Sequence, residues 1–233
     1  MDLGSDGCMK KPVVCIIIEN DGYLVKANGN LRYNKIMPHN IYKIPNIPFY
    51  HSAWTYHNQL IKPEISELKE YISQEYGKIS KLNGLVAIPA DALPVDRRMI
   101  EETFQILGLP CCMYVSKTSL LAHNGVNNYI ALSTSERLVI LEWYHNGKAV
   151  ETVFYNKSAV NRNKLYNDIG NIRYKENNNN LNLFIFDGCN ELVELYEMGQ
   201  PITASEMIEM INDATEKVYS SQYIKDMKKK RNN

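Results

Sequence analysis

Carboxylates at the ends of short apolar runs are the first residues in this chain that could do chemistry. Glu19 closes the run Val13–Ile18, Asp91 follows Leu85–Ile88, and Asp96 lies five residues further on. Acids converging from strand ends can hold two metal ions about 4 Å apart, so a ribonuclease-H-type metal nuclease is one reading. The charge balance opposes it: 26 Lys and Arg against 26 Asp and Glu give a formal net charge of zero, with no pull toward a polyanion. His51 and His57 flank Trp54 and could form a metal pair, but they sit in a Pro-, Tyr- and His-rich stretch better read as a loop packed by its aromatics. Cys8, Cys15, Cys111, Cys112 and Cys189 form no metal-type spacing and read as free thiols in a reducing compartment. Asp187 follows the apolar run Leu181–Phe186 and is placed to cap the helix that follows.

The elements that must position these residues follow from periodicity. Val13–Glu19 and Tyr23–Ala27 are strands joined by Asn20-Asp21-Gly22, where Asp-Gly accepts the positive dihedrals of a tight turn. A third strand runs over Tyr33–Pro38. A helix opening at Pro63, with Glu64 and Glu67 in its first turn, carries Ile65, Leu68, Tyr71, Ile72 and Tyr76 on one face. Leu85–Ile88 is too short for a half-exposed helix and reads as a buried strand. A second helix opens at Pro94, buries Ile100, Thr103, Phe104 and Leu107, and ends at Gly108 before a strand over Cys111–Val115. After Asn124-Gly125 the order repeats. Strands over Tyr129–Leu132, Leu138–Tyr144 and Ala149–Tyr155 precede a modest helix (Leu165, Ile169, Ile172) and the strand Leu181–Phe186. A last helix, capped by Thr203 or Ser205, carries Met207, Ile208, Met210, Ile211, Ala214 and Val218 and is expected to pack on the second sheet. The repetition argues for two related halves.

The stretch from Pro63 to His123, about a quarter of the chain, resembles the nucleotide-binding domain of DnaK-type heat-shock chaperones. Ile88-Pro89-Ala90, Asp96-Arg97-Arg98, Leu107-Gly108-Leu109 and Thr118 stand where that family has Val-Pro-Ala, an Arg-bearing helix, Ala-Gly-Leu and Glu-Pro-Thr. Bacterial actin-like proteins share the pattern less closely. The resemblance implies an α/β fold of two ribonuclease-H-like subdomains, 12–123 and 126–224, each a mixed sheet with flanking helices. The extra cleft-capping subdomains of the chaperones are absent. The family's first phosphate loop would fall in the opening hairpin, with Glu19 or Asp21 standing in for its acid. The second is Asp-Leu-Gly-Gly-Gly-Thr in the family and Ala131-Leu132-Ser133-Thr134-Ser135-Glu136 here, so the acid and every glycine are replaced. Glycine lets backbone approach phosphate closely, and Ser or Thr do so at a steric cost. Ser116-Lys117-Thr118 retains only the threonine of the segment that positions the attacking water. Asp187-Gly188 resembles the adenosine motif with one of its glycines kept.

Asp2-Leu3-Gly4-Ser5 also resembles the first loop, yet only Met1 precedes it and the required strand cannot form. Residues 1–11 are therefore read as a disordered tail and 225–233 as a solvated basic tail. The favoured function is a non-catalytic interaction or scaffold protein, cytoplasmic, with no cofactor expected. Its partner would be itself or another protein; neither a membrane nor nucleic acid is expected. The alternative is a divergent ATPase that binds ATP and Mg²⁺ through Glu19, Asp21, Thr118, Ser133, Ser135, Asp187 and Gly188.

Overall fold

Two strand–turn–strand units with the same onward path build the molecule. The computed structural model describes residues 11–37, 45–51, 58–109, 111–178 and 180–219. The first sheet contains β1 (Val13–Ile18), β2 (Tyr23–Lys26), β3 (Tyr33–Ile36), β4 (Asn83–Ile88) and β5 (Cys112–Ser116), in the order β3-β2-β1-β4-β5. The second contains β6 (Tyr129–Thr134), β7 (Leu138–His145), β8 (Lys148–Asn156), β9 (Leu183–Phe186) and β10 (Gln200–Ile202), in the order β8-β7-β6-β9-β10. Replace each strand by its rank in its own half, and the two orders are identical. In both, the first three strands are antiparallel and the last two run parallel to the first.

The helices are α1 (Asn58–Tyr76), α2 (Pro94–Leu107), the single turn α3 (Leu120–His123), α4 (Arg162–Lys175) and α5 (Ala204–Val218). Strand alternation sorts the core into layers. Val14, Ile16 and Ile18 of β1 join Leu68, Ile72, Ile100 and Phe104 of α1 and α2 on one outer side. Ile130 and Leu132 of β6 join Leu165, Ile169 and Ile172 of α4 on the other. The in-between residues, Cys15 and Ile17 on β1, Tyr129 and Ala131 on β6, and Phe184 and Phe186 on β9, share one central layer with α3 and α5. The two sheets therefore meet in a common core.

Three expectations are corrected. The turn after β1 closes through Glu19 N donating to Gly22 O at 2.9 Å, and neither Asp21 nor Gly22 has positive φ. Gly22 is required for space, because a Cβ there would strike the backbone carbonyl of Ile36. The Asn146-Gly147 pair, which reads as a hairpin turn on the same grounds, does have positive dihedrals at the β7–β8 turn, with φ of 51° and 72°. Helix α1 starts at Asn58, so Pro63 lies inside it and Glu64 and Glu67 fall beyond its first turn; proline's fixed φ is itself helical. Helix α5, capped by the Thr203 side chain, does not belong to the second sheet alone. Thr215 Oγ1 lies 3.5 Å from Cys15 Sγ on β1, and the Tyr219 hydroxyl donates to the Gly84 carbonyl on β4 at 2.6 Å. The broad apolar surface of α5 has a face for each sheet, and burying Ile208 and Ile211 contributes roughly 1.5–3 kcal/mol apiece.

Candidate functional site

In open sheets with parallel strands, ligand sites form beyond the carboxyl ends of those strands. Here the carboxyl ends of β1, β4, β6 and β9 deliver Glu19, Pro89 to Asp91, Ser135 and Asp187, with Lys117 arriving from the turn after β5. The two hairpin turns face one another. Glu19 and Asn20 from the first half and Ser135 and Glu136 from the second line one cavity with Pro48, Phe49, Tyr50 and Pro89, and its volume is about 10 Å³.

Many polar groups around that cavity pair with each other, while Glu19 Oε1, Asp91 Oδ1, Ser133 Oγ and Arg137 Nε are buried with no hydrogen-bond partner among the described residues. Lys117 Nζ, 1% exposed, donates to Glu19 Oε2 at 2.9 Å, and Glu19 is 2% exposed. Burial alone would lower the lysine's pKa. The Glu19 carboxylate overrides it, with help from the Asp187 charge, and the ammonium is held charged. Glu19 Oε1 has no hydrogen-bond partner among the described residues and lies against Gly188, where a Cβ would come within 2.6 Å of it. Asn20 donates through Nδ2 to Glu191, which also accepts from Lys157 Nζ at 2.9 Å.

Across the mouth, Ser135 Oγ donates to Asp91 Oδ2 at 2.8 Å. Arg137, on the β6–β7 turn, reaches into the first half and pairs with both Asp91 and Asp96. Asp96 is fully buried and bonds to the Leu93 amide at 2.7 Å and to the His51 ring as well. Burial pushes its carboxyl up, but bonds from Arg137 and His51 win and hold it below the usual carboxylate range.

The anticipated site residues are thus divided. Glu19, Ser135 and Gly188 converge at the cavity or its wall, and Ser133 is buried nearby on β6. Asp21 faces outward to Lys35 at 2.7 Å and accepts from Cys189 Sγ at 3.2 Å. Burial and the Glu19 charge push that thiol up to about 12. Thr118 turns into the central layer, donating to Glu142 Oε2 at 2.5 Å beside the Tyr144 hydroxyl. Asp187 is not the N-cap expected of it: the 3-10 helix that follows, Val193–Met198, opens after Leu192 without a side-chain cap, and Asp187 instead braces the intervening loop, accepting from the Glu191 and Leu192 amides at 2.8 and 2.6 Å and from the Tyr196 hydroxyl. Asp91 and Asp96 share the single charge of Arg137 and do not converge with Glu19 into a metal cluster, and no group of three metal-binding side chains occurs among the described residues. His51 packs beside Tyr50, their ring centroids 5.4 Å apart, in keeping with a segment packed by its aromatics, and its ring also joins the Asp96 network. His57, Trp54, Cys8, the Asp2–Ser5 segment and the basic tail lie outside the described residues. Sequence reasoning passed over Lys117, Arg137, Glu142 and Glu191. A lone Lys inside CCMYVSKTSLLAH and a lone Glu inside LVILEWY were the available signals.

No protein-family model matches the chain, and neither does any curated protein sequence. Solved structures do match in shape. EutJ, an ethanolamine utilization protein of Carboxydothermus hydrogenoformans, is 11% identical with a TM-score of 0.52, covering 86% of this chain and 87% of that one. MreB5 of Spiroplasma citri bound to AMPPNP is 9% identical with a TM-score of 0.54, covering 94% and 99%. A chain of the MamK double helical filament is 7% identical with a TM-score of 0.55, covering 87% and 99%. With its two sheets of identical strand order and helices between and outside them, this chain has the two-subdomain actin-like ATPase fold.

Proposed function

We propose that the chain is a non-catalytic actin-like interaction or scaffold protein that does not use nucleotide, and that its partner is another copy of itself. The cavity between the two hairpin turns carries this reading. Small-molecule sites occupy roughly 300–1,000 Å³, whereas about 10 Å³ is left here, room for about one water. What fills the space is built in. The Lys117 ammonium neutralises the acid at the end of β1, and Ser135 and Arg137 close the mouth against Asp91 and Asp96. These residues do not fit a metal-bound nucleotide. A divalent cation at Glu19 would meet a fixed positive charge, and a phosphate chain would meet the carboxylates of Glu19, Asp91 and Glu191. Self-association is in keeping with the filament formed by one structural neighbour. No helix among the described residues is long and apolar enough to cross a membrane. The DnaK-type branch suggested by the sequence and a cytoplasmic location remain part of this proposal.

The test is calorimetric titration of the full chain with ATP and ADP in Mg²⁺, with melting temperature measured alongside. A ligand that binds only the folded state raises its stability in proportion to saturation. No heat and no shift are expected at millimolar nucleotide, and micromolar binding overturns the proposal.

A further inference from the structure

We propose that β5 is the contact strand of a two-fold homodimer, pairing antiparallel with β5 of a second copy about an axis through Tyr114. The proposal deepens the interaction reading by naming its surface, and it rests on that reading only for the choice of partner. Native sheets protect their edges with charge, proline, bulges or brevity, because an unpaired strand invites another. Three of the four sheet edges here are protected in these ways. β3 carries Lys35, paired with Asp21. β8 is broken by a register shift opposite Trp143/Tyr144 and carries Glu151, paired with Lys175. β10 has only three residues and the middle one is Pro201.

β5 has none of these devices. It reads Cys112-Met113-Tyr114-Val115-Ser116, pairs with β4 in an uninterrupted parallel register, and among the described residues has no strand on its other side. Beside it lies a hollow of about 280 Å³ lined by Phe104, Leu109, Cys111, Cys112 and Tyr114, with Gln105 and the carboxylate of Glu101 at its wall.

The strand fits a copy of itself. Side chains alternate faces, Cys112 and Tyr114 toward the α1–α2 layer and Met113 and Val115 toward the central layer. Only a register centred on a residue keeps those faces continuous across the pair, since a shift of one inverts every side chain. Centring on Tyr114 uses the whole strand. Met113 then opposes Val115 of the second copy twice, Cys112 opposes Ser116 twice, and the tyrosines meet on the axis. No charge is brought against a like charge within the strand, and the chain's formal net charge of zero leaves no overall repulsion between copies.

The register supplies its own test. The Cys111 carbonyl accepts from Gly84 on β4, so the backbone groups of Cys112, Tyr114 and Ser116 point to the open edge, and Ser116→Cys places a thiol opposite the native Cys112 of the other copy in a hydrogen-bonded pair, whose Cα separation of about 5.5 Å is within disulfide reach. Within one chain the two are four residues apart along a strand and cannot bridge. Sedimentation of the full chain at micromolar concentration is expected to give twice 26.8 kDa. Ser116→Cys is expected to crosslink under mild oxidation, while the wild type and the Cys112→Ala/Ser116→Cys double variant do not. Tyr114→Lys is expected to sediment as a monomer with its circular-dichroism melt retained. A monomer at every concentration, or a dimer that forms without the Cys112 crosslink, overturns the proposal. A monomer at every concentration also overturns self-association in the proposed function, whereas a dimer without the Cys112 crosslink overturns the β5 contact alone; neither result bears on the nucleotide titration.

Discussion

Lys117→Met is the most informative single change, because its cost follows from one distance and two burials. The ammonium lies 2.9 Å from Glu19 Oε2, with the side chains 1% and 2% exposed. At an effective dielectric constant near 20 the Coulomb attraction is about 6 kcal/mol, and it offsets a desolvation cost of several kcal/mol per ion. The pair is therefore close to neutral overall, yet each member depends on the other. Removing the lysine leaves a buried carboxylate whose Oε1 already lacks a hydrogen bond among the described residues. The expected loss is about 3–5 kcal/mol. Glu19→Leu/Lys117→Met removes both charges and is expected to fall within about 1 kcal/mol of the wild type, or above it, so the cycle should show strong coupling. The assay is urea unfolding with shared slopes, with stabilities compared at the midpoints. A loss under about 1 kcal/mol, or a double variant that loses the sum of the two singles, would refute the reasoning.

Two further outcomes are expected. Arg137→Leu leaves Asp96 buried with only His51 and the Leu93 amide, and should cost about 3 kcal/mol near neutral pH. Because Asp96 is held below its usual range, its contribution is present above about 3.9 and lost as pH falls through the folded value, so variant and wild type should converge in acid unfolding curves. Glu142 behaves in the opposite sense, since burial raises its carboxyl despite hydrogen bonds from Thr118 and Tyr144. The wild type should lose stability as pH climbs from about 4.3 through that raised value, whereas Glu142→Gln should show a flatter profile and gain relative to wild type at higher pH. Parallel urea titrations at acid and alkaline pH check this, and an unchanged difference between the two proteins counts against it.

Local pattern sufficed for most of the elements. Strand alternation and helical spacing placed β1, β2, β4, β6 to β9, α2, α4 and α5 close to their observed bounds, because burial periodicity is a property of neighbouring residues. The repeated strand–strand–strand–helix order announced two related halves, and the replaced glycines at 131–136 announced that the second loop was altered. The position of α5 was not legible. A helix apolar on one broad side can face one sheet or be shared by two, and only contacts such as Tyr219 with Gly84, 135 residues apart in sequence, decide which.

The cleft divides along the same line. The sequence by itself determined which residue types stand at the ends of β1, β6 and β9, and hence that the second turn carries hydroxyls and an acid with no glycine, while the first keeps only Gly22. Only the tertiary structure decided what they do there. Lys117 is 98 residues from Glu19, and Arg137 is 41 from Asp96. Whether such charges pair, bind a ligand or face water depends on where the two halves bring them to rest. Electrostatic partnership acts through a few ångströms of space, and residue order does not encode that separation.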